Sequence, residues 1–205
     1  MAFILRSFLN GKDGVIIAGC WPGECHYITE GNFLAFSTLH ITRKLLELIG
    51  VSPERVRLEW VSASEGSRFA EVMNEFSKKV KELGPFGKGE ELDEKVLKRK
   101  LEALYHLVPY IKLVERERLR IPVKSVDAYR KFFESEAFDR LFQELISEKF
   151  EISQIMTLLR EKPRSARELS DILGVKPAEV SIHLTRSARQ GFVEFDEGQN
   201  CFVPV

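Results

Sequence analysis

An α/β protein of composite build is predicted by three observations along the 205 residues: alternating strand and helix signals, a charge-rich helical stretch, and a helix-turn-helix pattern followed by short strands. The first unit, residues 1–87, reads as an incomplete flavodoxin/Rossmann-like βαβα unit. Residues 88–149 read as a helical connector, and residues 150–205 as a winged helix-turn-helix domain. The length exceeds the commonest domain size, in keeping with more than one structural unit.

The apolar run Gly14-Val15-Ile16-Ile17 predicts a buried strand ending at Cys20. A helix from about Asn32 follows, with Ile41, Leu45, Leu48 and Ile49 on one face and Gly50 as its stop. Val56-Arg57-Leu58-Glu59-Trp60-Val61 predicts the second strand, and Phe69, Val72, Met73, Phe76 and Val80 mark the core stripe of the next helix. In the connector, Leu92, Val96, Leu97, Leu101, Leu104 and Leu107 form one stripe ahead of Pro109. A later helix carries Tyr129, Phe132, Phe133, Leu141, Phe142 and Leu145. That aromatic density exceeds what a bare linker needs, so the segment is expected to pack on another domain or a second chain.

Between the first strand and its helix lies Ala18-Gly19-Cys20-Trp21-Pro22-Gly23-Glu24-Cys25-His26-Tyr27, which holds two of the three cysteines. A strand of an open α/β sheet delivers its following loop to the ligand-binding edge, and Pro22-Gly23 supplies a turn. Cys20 and Cys25 are therefore candidate thiolate ligands of a soft metal centre, with His26 as a further nitrogen donor. The competing reading is that cysteine is a small hydrophobe packed at a strand end. Ser62-Ala63-Ser64-Glu65-Gly66 joins the second strand to its helix. Ser62 or Ser64 can cap that helix, whose positive end, with Gly66 admitting a close neighbour, suits a negatively charged cluster.

Composition narrows the function classes. Basic and acidic residues balance at 31 each, and no apolar run approaches the length of a membrane span. No basic-then-apolar leader opens the chain, and three cysteines fit a reduced, cytoplasmic protein. No Gly-x-Ser-x-Gly elbow, phosphate loop or dinucleotide fingerprint occurs, and His26, His40, His106 and His183 form no zinc pattern, so the chain is expected to carry out no substrate chemistry itself.

Residues 13–27 and 56–66 closely resemble the delta subunit of methyl-viologen-reducing hydrogenase, over about the first 87 residues. The resemblance implies a small iron–sulfur protein with a [2Fe–2S] cluster. It also implies a place in a protein complex, connecting a nickel–iron hydrogenase or a formate dehydrogenase to the flavin-containing subunit of heterodisulfide reductase. That family normally has an amino-terminal stretch with further cysteines and a first strand, and this chain starts just beyond it; Trp21 stands where the family commonly has histidine. A [2Fe–2S] centre needs four ligands, and Cys20 and Cys25 supply two. Cys201, in Asn200-Cys201-Phe202-Val203, reads as a core residue of a short strand. Three outcomes stay open: a partner chain contributes the missing strand and ligands, the true start lies upstream, or the cluster has been lost and the domain only docks. An isolated parallel pair, with its edges open, itself argues for an obligate partner.

From Phe150 onward, Ile152, Ile155, Met156 and Leu159 lie on one helix, followed by residues 165–175 and 176–184 as the two helices of a helix-turn-helix that resembles ArsR-like and MarR-like repressors. Gly174 makes the turn, Pro177 opens the next helix, and residues 192–195 and 202–203 form a wing around Gly198. Lys176, Ser181, Thr185, Arg186 and Arg189 are candidate DNA or partner contacts on its second helix. In this unit seven basic side chains meet eight acidic ones, which favours protein interaction over DNA. The leading reading is an electron-transfer or docking subunit; the alternative is a redox-responsive transcriptional regulator that binds an operator as a homodimer.

Overall fold

The computed structural model describes residues 1–27 and 29–205 and divides the chain into two compact units, Met1–Ser147 and Glu148–Val205. Among the described residues the fold is mixed α/β, mostly helical, with two small sheets.

In the first unit, β1 (Val15–Gly19) and β2 (Val56–Trp60) pair in parallel, with Val15 opposite Val56 and Gly19 opposite Trp60. Helix α2 (Gly31–Leu48) makes the crossover between them. Its buried stripe runs through Leu39, Ile41, Leu45 and Leu46, with Leu48 only partly covered. Gly50, at φ +85°, ends it in the left-handed region that glycine enters without a Cβ penalty. The order strand, helix, strand, helix holds, with a helix that the periodicity did not predict, α1 (Ala2–Leu9), ahead of it. Its Ile4, Leu5 and Phe8 are buried, and it packs on α4 (Glu94–Glu117).

Helix α3 (Gly66–Leu83) corrects the expected core stripe: Val72 and Phe76 are buried, but Phe69 remains 46% and Met73 38% exposed. Phe76 and Val80 crowd the Cα of Gly14, where a Cβ would come within 2.9 Å of Phe76 and still closer to Val80. The helix thus runs along the sheet with its carboxyl half over the start of β1, while its amino-terminal half leaves apolar side chains uncovered.

Helix α4 continues through Pro109 rather than stopping before it. A proline there removes one amide donor, but Leu104, Val108, Ile111 and Val114 on either side are buried, and that burial sustains the helix across the break. The single helix expected over residues 129–145 is divided. Helices α5 (Val126–Phe133) and α6 (Glu136–Phe142) are separated at Ser135, whose side chain accepts the Phe138 N–H as an N-cap, and a π-helical turn covers Gln143–Ser147. These helices belong to the same compact unit as the sheet. Tyr129, Phe133 and Phe138 pack with Phe33, Phe36 and His40 of α2 in one aromatic cluster.

One buried cation ties the loops of this unit together. Arg55 is 0% exposed and donates to both carboxylate oxygens of Glu90 at 2.6 and 3.0 Å. It also donates to the carbonyls of Asp13, Gly84 and Leu83. A guanidinium offers five donors, so its burial is matched by near-complete satisfaction.

In the second unit, α7 (Glu148–Glu161), α8 (Ala166–Leu173) and α9 (Pro177–Arg189) surround a core of Ile155, Leu158, Leu159, Leu169, Val180, Leu184 and Val193. Ser165 and Glu168 form a reciprocal capping box at the start of α8, Gly174 turns the chain at φ +67°, and Pro177 occupies the first turn of α9. Strands β3 (Val193–Asp196) and β4 (Cys201–Pro204) pair antiparallel to make the wing.

Candidate functional site

Both strands of the parallel pair end beside one shallow cavity of about 500 Å³. Its lining comes from the end of β1 (Ala18, Gly19, Cys20), from the loop after β2 (Val61, Ser62, Glu65) and from the start of α3 (Gly66, Phe69). Such a cavity at the carboxyl edge of parallel strands is where open α/β sheets hold their ligands.

Cys20 stands exposed in this cavity. Its carbonyl accepts a 2.6 Å hydrogen bond from the Asn32 side-chain amide, which fixes the loop to the first turn of α2. Cys25 lies further along the same loop, half-buried and outside the cavity lining, with its Sγ set so close to Gly31 that a Cβ there would approach within 2.6 Å. A side chain at position 31 would therefore require the Cys25 thiol to shift. His26 is exposed, in an edge-on contact with the Tyr27 ring.

The expected serine cap of α3 is absent. The N-cap position is Glu65, with no side-chain cap bond, and its carboxylate turns back to accept the Ser62 N–H at 2.7 Å and the Trp21 Nε1–H at 2.7 Å. Those two donors hold the Glu65 carboxyl below the usual carboxylate range. The Arg68 guanidinium lies over the Trp21 ring at 5.0 Å and donates to the Trp60 carbonyl. Trp21, Glu65 and Arg68 therefore bind the cysteine loop to the loop after β2. Sequence patterns mark none of the three as a site residue; the one available signal is the acid directly after Ser62-Ala63-Ser64. Ser62 lines the cavity, Ser64 lies 3.3 Å from it, oxygen to oxygen, and Gly66 opens α3 with free space where a Cβ would sit.

Cys201 belongs to the other unit. It is buried in β4, and burial, with Asp196 and Glu168 nearby, pushes its thiol up, the opposite of what a thiolate ligand needs. Among the described residues, no cluster of three or more histidine, cysteine or acidic side chains is placed to hold a metal ion. Two thiols on one strand-end loop are the right donor chemistry for an iron–sulfur cluster, but they are half of a four-thiolate set. The described residues of this chain do not by themselves complete such a site.

On the winged unit, Lys176, at the N-cap of α9, and Ser181, Thr185, Arg186 and Arg189 along it are exposed. Arg186 is engaged, donating to Glu148 at 2.6 Å, and the buried His183 lies 3.0 Å from Glu151. Ile182, Phe192 and Phe195 of this unit are also exposed. No helix among the described residues is long and apolar enough to cross a membrane.

The two units define an α/β cysteine-loop domain joined to a winged helix-turn-helix. Residues 1–84 match the family described as methyl-viologen-reducing hydrogenase, delta subunit, and residues 153–194 match the bacterial regulatory proteins of the arsR family. The chain thus carries a domain of the hydrogenase delta family at its amino end and an ArsR-type helix-turn-helix toward its carboxyl end. Over 84 residues it is 54% identical to the iron-sulfur subunit of the F420-non-reducing hydrogenase of Archaeoglobus profundus, covering 41% of this chain and 61% of that protein. Over 85 residues it is 46% identical to one subunit of the ferredoxin/F420H2-dependent CoB-CoM heterodisulfide reductase of Methanosarcina acetivorans, covering 42% and 11%. The vhc iron-sulfur subunit of the F420-non-reducing hydrogenase of Methanococcus voltae is 44% identical over 84 residues, covering 41% and 58%. The chain therefore spans about three-fifths of the hydrogenase subunits it matches and a small part of the reductase subunit.

Proposed function

We propose that this protein is an electron-transfer and docking subunit that links a hydrogenase or formate dehydrogenase to a flavin-containing heterodisulfide reductase-type partner. In this reading Cys20 and Cys25 contribute two thiolates to a [2Fe–2S] site whose other ligands lie outside the described residues. The observation that carries it is the cysteine loop at the carboxyl end of β1, pinned through Trp21, Glu65 and Asn32, within the segment that matches both hydrogenase and heterodisulfide reductase subunits. The flavodoxin-like character of this unit belongs to the same reading, supported by the right sequence of elements and a cavity at the strand ends. Ser62, Ser64, Gly66 and His26 would shape the surroundings of the site rather than complete it.

The test is anaerobic purification of the tagged chain with its partners, followed by iron and acid-labile sulfide analysis and electron paramagnetic resonance after reduction. Hydrogenase-type and reductase-type subunits should co-purify, and the signal should vanish in both Cys20→Ser and Cys25→Ser. An assembly free of iron and sulfide at this subunit overturns the cluster. A chain that joins no such assembly overturns the role.

A second reading, a redox-responsive regulator binding DNA as a homodimer, draws on the exposed Lys176, Ser181, Thr185 and Arg189. The Arg186–Glu148 pair and the absence of a basic surplus weigh for a protein partner instead.

A further inference from the structure

We infer that the concave surface formed by α2, the end of α4 and the connection to α5 is the docking site for an acidic peptide segment of another protein, one with a bulky apolar side chain among its carboxylates. The inference rests on the docking role proposed above and adds where, and by what chemistry, a partner is held. The charged side of this surface, residues 112–124, lies outside both family-matched segments.

Charge is unevenly spread along the chain. Basic and acidic residues balance overall at 31 each, yet residues 112–124 hold five basic side chains, Lys112, Arg116, Arg118, Arg120 and Lys124, against the two acids Glu115 and Glu117. Both acids are engaged locally: Lys112 pairs with Glu115 at 2.7 Å and Arg116 with Glu117 at 2.7 Å. The Glu115 side chain is only 10% exposed, so its charge is largely withdrawn from solvent. Arg120 and Lys124 are exposed, and among the described residues neither pairs with a carboxylate. Exposed cations without an internal counter-charge attract a partner of opposite sign.

Shape supplies the second requirement. A cavity of about 650 Å³ lies here, with Arg116, Arg120 and Lys124 in its lining. Its apolar wall is made by Phe33 and Leu34 of α2 together with Leu119, Ile121 and Tyr129. Leu34 is 51% exposed, whereas the last three are buried and form a fixed backing. Lys124 is also held in place: its Nζ donates to the Tyr129 hydroxyl at 2.7 Å and lies 5.4 Å from the centre of that ring and 5.9 Å from that of Phe33. A cation already fixed against an aromatic wall loses less freedom when a ligand engages it.

Together these features select the occupant. A solvated basic face needs no apolar wall, and a plain apolar groove carries no charge surplus. A peptide with carboxylates for Arg120 and Lys124, and one large apolar side chain to lie against Leu34, uses both. A nucleic-acid backbone would meet Glu30 and Glu117 in the same lining and leave the apolar wall unused.

The experiment measures fluorescence anisotropy of a labelled peptide, Glu-Asp-Glu-Leu-Asp-Phe-Glu-Asp, titrated with the full chain. Saturable binding is expected, weakened about tenfold between about 0.05 and 0.5 M salt, and lost when glutamine and asparagine replace the peptide's acids. Arg120→Glu should weaken it about tenfold and Leu34→Ala about fivefold, with the melting temperature unchanged, because both side chains are exposed. Lys95→Glu alters the net charge equally at an exposed cation nearer the start of α4 and should stay within about twofold of the parent.

No saturable binding overturns the proposal. An equal loss in Lys95→Glu and Arg120→Glu shows attraction to net charge rather than a site, and overturns it too. Duplex DNA or RNA that displaces the peptide and binds more tightly, in an Arg120-dependent way, assigns the surface to nucleic acid instead. If the peptide fails to bind while hydrogenase-type and reductase-type subunits co-purify equally with the parent and with the Arg120→Glu, Leu34→Ala double variant, this inference fails and the proposed function stands. If the peptide binds as expected but the chain joins no such assembly, the surface stands and that function fails.

Discussion

His40 shows how a single side chain reports its surroundings. It is stacked on Phe133 at 5.0 Å and tilted against Phe36 at 4.6 Å, and burial, with Arg43 and Arg130 nearby, lowers its pKa from 6.5 to about 4. A histidine whose folded-state value is depressed binds its proton more readily when unfolded. Its contribution to stability is therefore complete above pH 6.5, declines as pH falls from there, and is exhausted near pH 4. The expected outcome is that His40→Phe, which keeps the ring stack, flattens the stability profile between those limits, measured by urea unfolding at several pH values. A profile unchanged by the substitution would show that other groups set the acid limb. Glu90 differs: burial raises its carboxyl, but bonds from Arg55, Ser52 and Gly87 outweigh that and leave it below its ordinary 4.5.

Elements of the winged unit are specified by local chemistry. The capping box at Ser165–Glu168 starts α8, and Gly174 at φ +67° separates it from α9. Because a Cβ at position 174 would meet nothing within 4 Å, Gly174→Ala isolates the backbone cost of the left-handed conformation. That cost is about 1 kcal/mol, and Gly174→Asn should recover part of it, since asparagine tolerates this region. Thermal unfolding of the full chain measures both; equal stability of all three forms would mean the turn relaxes. In the first unit, by contrast, elements depend on distant partners. Helix α4 spans Pro109 because its flanking residues are buried, and the N-cap residue of α3, Glu65, gives the helix no side-chain cap because its carboxylate accepts from Trp21 and the Ser62 amide instead.

For the whole molecule, balanced charge and a partly neutralised α9 predict weak, unspecific association with nucleic acid. Fluorescence anisotropy with duplex DNA at physiological salt should give a dissociation constant no tighter than about 10⁻⁵ M. Nanomolar binding to one sequence, with a steep salt dependence, would favour the regulator. The exposed Ile182, Phe192 and Phe195 instead offer apolar side chains of the kind that meet proteins.

The sequence by itself determined what is written in short-range patterns. The βαβα order, the turn glycine Gly174 and first-turn proline Pro177 of the helix-turn-helix, the placement of Cys20 and Cys25 after β1 and the core role of Cys201 were legible, because turn chemistry and hydrophobic period act over a few residues. Tertiary structure alone decided which apolar faces are covered. It buried Val72 and Phe76 but left Phe69 and Met73 open, drew the aromatic helices onto α2, and brought Trp21 to Glu65 across 44 positions. A periodic stripe records only that a helix has an apolar side; whether its own chain covers that side depends on where distant segments come to rest.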